Sequence, residues 1–143
     1  MKRLFGGGAH DTDEIFPVRK SEEDWRQTLT PAQFAVLRKH GTERAGTSPL
    51  DAEKREGIFV CAACDQDRFA ATTKFESGTG WPSFWEPLEG AVATTEDRTF
   101  FMTRVEVHCS RCGGHLGHVF PDGPRPTGQR YCMNGVSMAF KPA

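Results

Sequence analysis

Five cysteines, arranged as two close pairs and one isolated residue, constrain the fold of this chain most strongly. Cys61 and Cys64 form the first C-x-x-C pair, Cys109 and Cys112 form the second, and Cys132 stands alone. A tetrahedral zinc ion binds four thiolates, and each C-x-x-C turn presents two sulfurs to one side of the ion. The pairs therefore predict a structural zinc site without an open coordination position, assembled by pairing of the strand-like stretches that precede them.

Other chemistries also fit these four cysteines. Two disulfides or two redox-active dithiols are alternatives, although an odd cysteine count without an export signal argues against a disulfide framework. Iron is a second alternative, because it also binds four cysteines. His108 and His115 flank the second pair and offer imidazole ligands. With four cysteines present, we expect both histidines to serve other roles.

Composition indicates an ordinary globular domain. The chain has 143 residues, of which 37% are hydrophobic and 26% charged, and its formal net charge is -1. This length fits one domain with a hydrophobic core. The charge argues against a nucleic-acid binder, which normally carries a basic excess. No apolar run approaches the roughly 18 residues that span a bilayer, so we expect no membrane partner.

The N-terminal segment carries no predicted function. Residues 1–20 are rich in Gly and Asp and lack hydrophobic periodicity, which predicts a flexible arm before a single domain over residues 21–143. Residues 1–8 include two basic residues but no apolar segment behind them, unlike a signal peptide. We therefore expect a cytoplasmic protein.

Two short helices are predicted before residue 42. Ser21 is suited to cap the first, followed by an acidic first turn. Thr30, Pro31 and Gln33 form a capping-box pattern for the second. Gly41 offers a stop for this helix.

From residue 57 onward the pattern changes to strands and turns. Strands are predicted over residues 58–60, 99–109 and 130–141. Residues 121–129 contain three prolines and two glycines, which predict a loop. The fold class is therefore mainly β, antiparallel, with short N-terminal helices.

The isolated cysteine lies in a polar setting. In a strand, side chains alternate, so Arg130, Cys132 and Asn134 would project from one face. A neighbouring cation lowers the pKa of a thiol and raises its thiolate fraction. The alternative is a buried, inert cysteine that packs as a small hydrophobe.

Two further segments carry chemistry-bearing side chains. His115 and His118 lie in a glycine-rich segment that ends near Asp122, and a histidine can donate a proton near neutral pH. A structural or metal-linked role for this pair is the alternative. Residues 77–85 form a glycine- and proline-shaped loop whose aromatics can wall an apolar pocket. Trp81 of this loop fits either a pocket wall or the core.

Taken together, these segments resemble the B class of methionine sulfoxide reductase, which acts on the R epimer. The resemblance runs from about Glu22 to the C-terminus. It rests on the two C-x-x-C pairs and on residues 29–31, 41–44, 77–84, 114–120 and 130–134, in the family's order. It implies a β-tent, in which two antiparallel sheets are pinned by zinc.

The resemblance also implies roles for individual residues. Cys132 would attack the sulfoxide sulfur and become a sulfenic acid, while a protonated His118 or His115 assists at the oxygen. Trp81 would hold the ε-methyl group. The residues expected to bind or polarise the remainder of the substrate are Asn134, His115, Asp122, Arg130 and Phe120.

One position departs from many members of the family. Thr79 stands where they carry a resolving cysteine in a Ser-Gly-Cys-Gly-Trp motif. Because the other four cysteines are assigned to zinc, we expect an outside thiol, thioredoxin or a glutathione-type reductant, to reduce the sulfenic acid of Cys132. The other partners implied are oxidised proteins that carry methionine-R-sulfoxide.

Two functions from other classes compete with this interpretation. A zinc-ribbon-like interaction module would use Cys132 only for packing, and the net charge of -1 speaks against nucleic acid as its partner. A zinc hydrolase or deaminase needs an open metal position and an H-x-E signature. His115 and His118 are followed at that position by Gly117 and Phe120.

Overall fold

Two short helices begin the part of the chain that the structure describes. The computed structural model describes residues 16–98 and 103–143. Within these ranges the helices are α1 (Glu22–Thr28) and α2 (Pro31–Leu37). Neither has the length or the apolar character needed to cross a membrane, and no other described segment forms such a helix.

Both predicted helix caps are confirmed. The hydroxyl of Ser21 accepts a hydrogen bond from the N–H of Asp24 at 3.1 Å. Thr30 and Gln33 exchange two bonds, each from a backbone N–H to the other residue's side chain, at 2.9 and 3.1 Å. These bonds satisfy N–H groups that the first turn of a helix leaves without a partner.

The second helix ends before the predicted stop. α2 is followed by Arg38, and His40 has a φ of 60°, the left-handed conformation that usually closes a helix. Gly41 comes one residue later and donates its N–H to the carbonyl of Ala35. The turn therefore uses a histidine where the sequence pattern favours glycine.

Nine strands are described within residues 16–98 and 103–143, and they form two antiparallel sheets. They are β1 (Gly57–Cys61), β2 (Asp67–Ala70), β3 (Lys74–Phe75), β4 (Ser83–Phe84), β5 (Val92–Asp97), β6 (Arg104–Cys109), β7 (His115–Phe120), β8 (Arg130–Met133) and β9 (Met138–Pro142). The smaller sheet has the order β2-β1-β9 and the larger one β3-β4-β8-β7-β6-β5. The predicted mainly β fold with two antiparallel sheets is confirmed.

The C-terminal segment differs from the single strand that was predicted for it. β8 lies inside the larger sheet and β9 at an edge of the smaller one. A 3-10 turn over Gly135–Ser137 joins them. The chain therefore leaves the larger sheet after Met133 and enters the smaller sheet at Met138. The alternation of side chains does not predict this change.

Two other predicted boundaries lie partly within the described residues. The predicted strand over residues 99–109 is found as β6, which begins at Arg104, and residues 99–102 lie outside the described residues. The arm boundary at residue 20 stays a prediction. In the described part of that arm, Val18 donates its N–H to the carbonyl of Arg111, and Phe16 packs edge-on against His108.

The core lies between the two sheets. Phe59 of β1 and Phe69 of β2 pack against Phe84 of β4, with ring centroids 5.0 and 4.3 Å apart. All three side chains are fully buried. Burial of one such side chain contributes about 1.5–3 kcal/mol. This packing holds the smaller sheet against one face of the larger sheet, and the opposite face is left for polar side chains.

The caps give a test of local stability. We expect Thr30→Ala to lower the free energy of unfolding by about 1 kcal/mol, because the capping box is lost. Thr28→Ala at the end of α1 is the matched control, and its effect should stay within about 0.5 kcal/mol. Urea unfolding followed by circular dichroism measures both, and equal effects would contradict the role of the cap.

Candidate catalytic cavity and metal centre

The four paired cysteines converge on one point between the sheets. The sulfurs of Cys61 and Cys112 are 3.8 Å apart, and those of Cys64 and Cys109 are 3.5 Å apart. Sulfurs that bind a tetrahedral ion at about 2.3 Å lie about 3.8 Å from each other. A disulfide requires about 2.05 Å, and all five cysteines are free thiols. The cluster fits a metal ion and does not fit two disulfides.

The strands before the two turns do not pair with each other, contrary to our expectation. β1 leads to Cys61 from the smaller sheet, and β6 leads to Cys109 from the larger sheet. The cysteine turns therefore meet across the gap between the sheets. In the second turn, the backbone N–H groups of Arg111 and Cys112 both point at the sulfur of Cys109, at 3.2 Å. Donors of this kind stabilise a thiolate ligand.

The charge of the cluster favours a cation. Hydrogen bonding with Cys109 lowers the pKa of Cys61 and raises the pKa of Cys112. Four thiols at this separation cannot all ionise unless positive charge lies among them, because like charges repel strongly in a buried site. A divalent ion would supply that charge.

Arg68 supplies further positive charge, and sequence reasoning missed it. Its side chain is fully buried in β2 and donates to the sulfur of Cys109, with the sulfur of Cys64 3.8 Å away. Four thiolates around a divalent ion keep a net charge of -2, so a buried guanidinium beside them is stabilising. The available signal was a charged residue inside a short strand. Charged side chains are rarely buried unless they are paired, so a buried arginine there indicates a partner of opposite charge.

The isolated cysteine lies in the centre of the larger sheet. Cys132 of β8 is directly opposite His118 of β7 on one side and Ser83 of β4 on the other. His118 is in turn opposite Glu106 of β6. Directly opposed residues of an antiparallel pair project from the same face. Cys132, His118 and Glu106 therefore share the face of the sheet that points away from the aromatic core.

A cavity of about 290 Å³ opens on this face. Six of the predicted site residues line it, namely Cys132, His118, Asn134, Trp81, Arg130 and Phe120, and the other lining residues are Thr42, Thr79, Arg104 and Gly117. Arg130, Cys132 and Asn134 thus line one cavity, although Asn134 lies just beyond the end of β8 and not on the strand as predicted. The lining combines two aromatic side chains and a thiol with cationic and amide groups, so the cavity offers both apolar and polar surface.

Gly117 allows β7 and β8 to lie close together beneath the cavity. A Cβ atom at Gly117 would collide with the backbone carbonyl of Cys132. Backbone atoms cannot move aside as a flexible side chain can, so this position requires glycine.

His115 does not line the cavity and lies behind His118. It is 1% exposed, and its ring centroid is 5.5 Å from that of His118. Its Nδ1 is 3.0 Å from Oε2 of Glu106. Burial alone would raise the pKa of Glu106, but the nearby imidazoles of His115 and His40 outweigh it and hold the pKa well below its usual range.

Asp122 also lies outside the cavity. It is exposed and forms two hydrogen bonds with the guanidinium of Arg130, at 2.9 and 3.2 Å. The guanidinium in turn lies over the ring of Phe120, 4.5 Å from its centroid. Asp122 therefore acts on the cavity by orienting Arg130, and the cation–π contact fixes the apolar wall beside it.

Asn134 is held firmly by the backbone. It is 3% exposed; its Oδ1 accepts the N–H of Glu43 at 2.9 Å, and its Nδ2 donates to the carbonyl of Leu116 at 3.1 Å. One N–H of the amide remains for a ligand, since an amide nitrogen carries two.

Glu43 connects several parts of the site, although no role was predicted for it from the sequence. Its carboxylate accepts the N–H groups of Gly135 and Val136, at 2.8 and 2.9 Å. Its carbonyl accepts the indole N–H of Trp81 at 3.1 Å. These contacts fix the turn after β8 and the orientation of the tryptophan wall. They join residues about 40 and 90 positions apart in the chain, so no local pattern could reveal them.

Comparisons with known proteins agree with this arrangement. The SelR domain model matches residues 29–142. A relative from Methanosarcina mazei is 58% identical over 124 residues, which cover 86% of this chain and 89% of the relative. Relatives from Agrobacterium fabrum and Leptospira interrogans are 56% and 52% identical, over 87% and 88% of this chain and 93% and 97% of their own lengths. All three are named peptide methionine sulfoxide reductase MsrB.

The chain belongs to this family. Its SelR domain includes both cysteine pairs, Cys132 and every residue that lines the cavity. The expectation that the sequence raised about the family is confirmed.

The pKa of Cys132, which is half-buried, departs from our expectation. Burial raises the pKa of Cys132, and the opposing effects of the Arg130 cation and the Thr79 hydroxyl do not outweigh it. We expected Arg130 to lower the pKa. It does so, but removal of the thiolate from water is the larger effect. The thiol is therefore mainly protonated at neutral pH in the absence of substrate.

This electrostatic balance predicts how Cys132 reacts with iodoacetamide. Because the thiolate is the reactive form, the alkylation rate should rise about tenfold per pH unit and should not level off below the ordinary thiol pKa of 9.0. Arg130→Gln should shift the profile to higher pH. Mass spectrometry measures the rate, with Cys132→Ser giving the background from the clustered cysteines. A plateau near neutral pH would contradict the raised pKa.

Proposed function

We propose that the chain reduces the R epimer of methionine sulfoxide, chiefly in proteins, and so repairs oxidative damage. The observation that carries the proposal is the convergence of one free thiol, Cys132, with His118 and Trp81 in a single cavity. The names of the relatives supply the reaction class, since all three are called peptide methionine sulfoxide reductase.

The apolar and polar groups that line the cavity suit the two ends of the substrate. A methyl sulfoxide has an apolar methyl group and a strongly polar S–O bond. Trp81 and Phe120 offer the methyl group an apolar surface. Arg130 and the remaining N–H of Asn134 are the polar groups of the lining, and they can bind the sulfoxide oxygen and the backbone of the substrate. These contacts orient the sulfur toward Cys132.

The reaction begins with a bond between two sulfur atoms. The thiolate of Cys132 attacks the sulfoxide sulfur, and His118 donates a proton to the oxygen, which makes the oxygen a better leaving group. The protonated oxygen passes to the cysteine sulfur as a hydroxyl group, the sulfoxide S–O bond and the transient S–S bond break, and methionine departs as a thioether. The substrate sulfur gains two electrons and the cysteine sulfur loses two, so Cys132 becomes a sulfenic acid.

His115 and Glu106 support the proton donor from behind. Glu106 is 3.0 Å from Nδ1 of His115, and His115 packs against His118. A carboxylate at this distance orients the imidazole of His115, which in turn packs against the ring of His118. His118 is therefore the group at the substrate, and His115 is a positioning residue.

An external thiol completes the cycle. One thiol attacks the sulfenic acid of Cys132 and releases water, and a second thiol reduces the mixed disulfide. Thr79 lines the cavity at the position where many family members carry a resolving cysteine. The other four cysteines lie in the cluster between the sheets. We therefore propose thioredoxin or a glutathione-type thiol in the cytoplasm as the reductant.

Zinc is the ion that we propose for the four-cysteine cluster. Thiolates at these separations match its tetrahedral radius. With all four positions taken by sulfur, the ion would supply only structural support, with no position for substrate or water. Cys61, Cys64, Cys109 and Cys112 would hold it and keep the sheets together.

Two matched substitutions test the division between catalytic and structural cysteines. Cys132→Ser should lower kcat/KM on the order of 10⁴-fold and leave metal content and unfolding temperature unchanged. Cys61→Ser should lose the metal and much of the folded state, since four-ligand zinc sites contribute about 10–16 kcal/mol. Atomic absorption and thermal unfolding measure the second effect. Full activity in Cys132→Ser would refute the proposed function.

The stereochemistry of the substrate gives a second test. We expect the separated R epimer of a methionine sulfoxide peptide to be reduced, and the S epimer to react at least about 100-fold more slowly. The reason is that the fixed apolar and polar groups of the cavity accept one arrangement of the methyl group and the oxygen. Chromatography of the peptide products measures both rates. Equal rates for both epimers would rule out the proposed substrate orientation.

A single turnover without reductant tests the regeneration route. Mass spectrometry should find Cys132 as a sulfenic acid, trapped by a dimedone-type reagent, with no disulfide to another cysteine of the chain. Thr79→Cys is the matched variant, and it should form a disulfide with Cys132 under the same conditions. A disulfide between Cys132 and a clustered cysteine of the unaltered chain would show that the reductant is internal.

A further inference from the structure

A second group of metal-binding side chains lies behind the catalytic cavity. Oε2 of Glu106 is 2.8 Å from Nδ1 of His40 and 3.0 Å from Nδ1 of His115. One ligand atom from each of the three residues lies within 4.8 Å of the others. Glu106 comes from β6, His115 from β7 and His40 from the turn after α2. The fold thus brings three separate elements together at one point.

Two imidazoles and a carboxylate form a familiar ligand set for zinc and similar divalent ions. Such ligands bind zinc at about 2.0–2.2 Å, so their atoms lie about 3.3–3.6 Å apart around a tetrahedral ion. The distances of 2.8 and 3.0 Å need to widen by only about 0.5 Å to reach this value. Rotation of the half-exposed His40 side chain would widen the first distance, and a small shift of the Glu106 carboxylate would widen the second.

The buried member of the group has one ring nitrogen without a partner. His115 is 1% exposed, its Nδ1 is 3.0 Å from the carboxylate of Glu106, and its Nε2 makes no hydrogen bond among the described residues. Burial of a polar nitrogen without a hydrogen bond costs about 1–3 kcal/mol. His40 is half-exposed, so an ion can reach the site from solvent.

We propose that His40, Glu106 and His115 form a second divalent-metal site, which binds zinc or a similar ion through nitrogen and oxygen and leaves one position to water. This site is separate from the four-cysteine cluster, since no ligand is shared. It is also more open, because His40 is half-exposed, so its ion should exchange readily with solution.

Occupation of this site would regulate the reductase. A bound ion would compete with His115 for the carboxylate of Glu106 and would hold the ring of His115, whose centroid is 5.5 Å from that of His118, in a new position. His115 would then no longer position His118 as it does in the metal-free site. Excess zinc should therefore slow sulfoxide reduction. This consequence rests on the proposed function, whereas the metal site itself does not.

Cobalt(II) added to zinc-loaded protein tests the site directly. Equilibrium dialysis should give one cobalt ion per chain in addition to the zinc. The visible spectrum should show the weak bands of nitrogen and oxygen ligation without thiolate charge-transfer bands, which would instead indicate replacement of the zinc. His40→Ala should weaken cobalt binding by about 100-fold or more. Lys39→Ala removes the preceding exposed side chain, carries no site ligand, and should bind as the unaltered chain does.

A second variant guards against folding effects. Glu106→Gln keeps the size of the side chain and removes its charge, and circular dichroism checks that it is folded. It should also lose most cobalt affinity. Absence of a bound cobalt ion in the unaltered chain would overturn the proposal. Cobalt binding by His40→Ala and Glu106→Gln as tight as that of the unaltered chain would also overturn it.

Activity in excess zinc supplies the regulatory readout. The unaltered chain and Lys39→Ala should be inhibited, and His40→Ala should resist inhibition. Equal inhibition of all three would overturn regulation through this site. A chain that binds cobalt as expected but shows no sulfoxide reduction at all would refute the proposed function and leave the metal site standing.

Discussion

Four sulfur atoms, two from each sheet, meet in one cluster between the two sheets of this protein. The sulfurs come from two C-x-x-C turns, one at the end of a strand in each sheet. Their separations suit a tetrahedral ion, and Arg68 balances part of the charge that such a site carries. Because the strands before the turns do not pair with each other, backbone hydrogen bonds cannot replace this connection. The core aromatics pack behind it.

The larger sheet then places the reactive groups. Cys132 and His118 are opposite each other on neighbouring central strands, where the positions of the backbone are fixed on both sides. A site built on paired strands varies less in geometry than one on loops. Burial there raises the pKa of Cys132. In the proposed reaction its activation would therefore depend on the substrate and the proton donor more than on a thiolate already present.

Polar contacts from distant parts of the chain complete the cavity. Glu43 fixes the turn after β8 and the indole of Trp81, while Asn134 joins the backbone at Glu43 to that at Leu116. On the other side of His118, the carboxylate of Glu106 lies between two imidazoles. The same carboxylate can thus support a proton donor or bind an ion, and these two states exclude each other at His115.

The sequence by itself determined the features that depend on neighbouring residues: the helix caps at Ser21 and Thr30, the two C-x-x-C turns, and the shared face of Arg130 and Cys132. Local hydrogen bonding, close spacing and the twofold repeat of a strand suffice for these features. Only the tertiary structure decided that residues 130–141 divide between two sheets, that His115 and Asp122 stay outside the cavity, and that Glu43, Arg68 and His40 contribute. Those outcomes depend on contacts between residues far apart in the chain and on burial, which change pKa values and partners in ways that the order of residues does not contain.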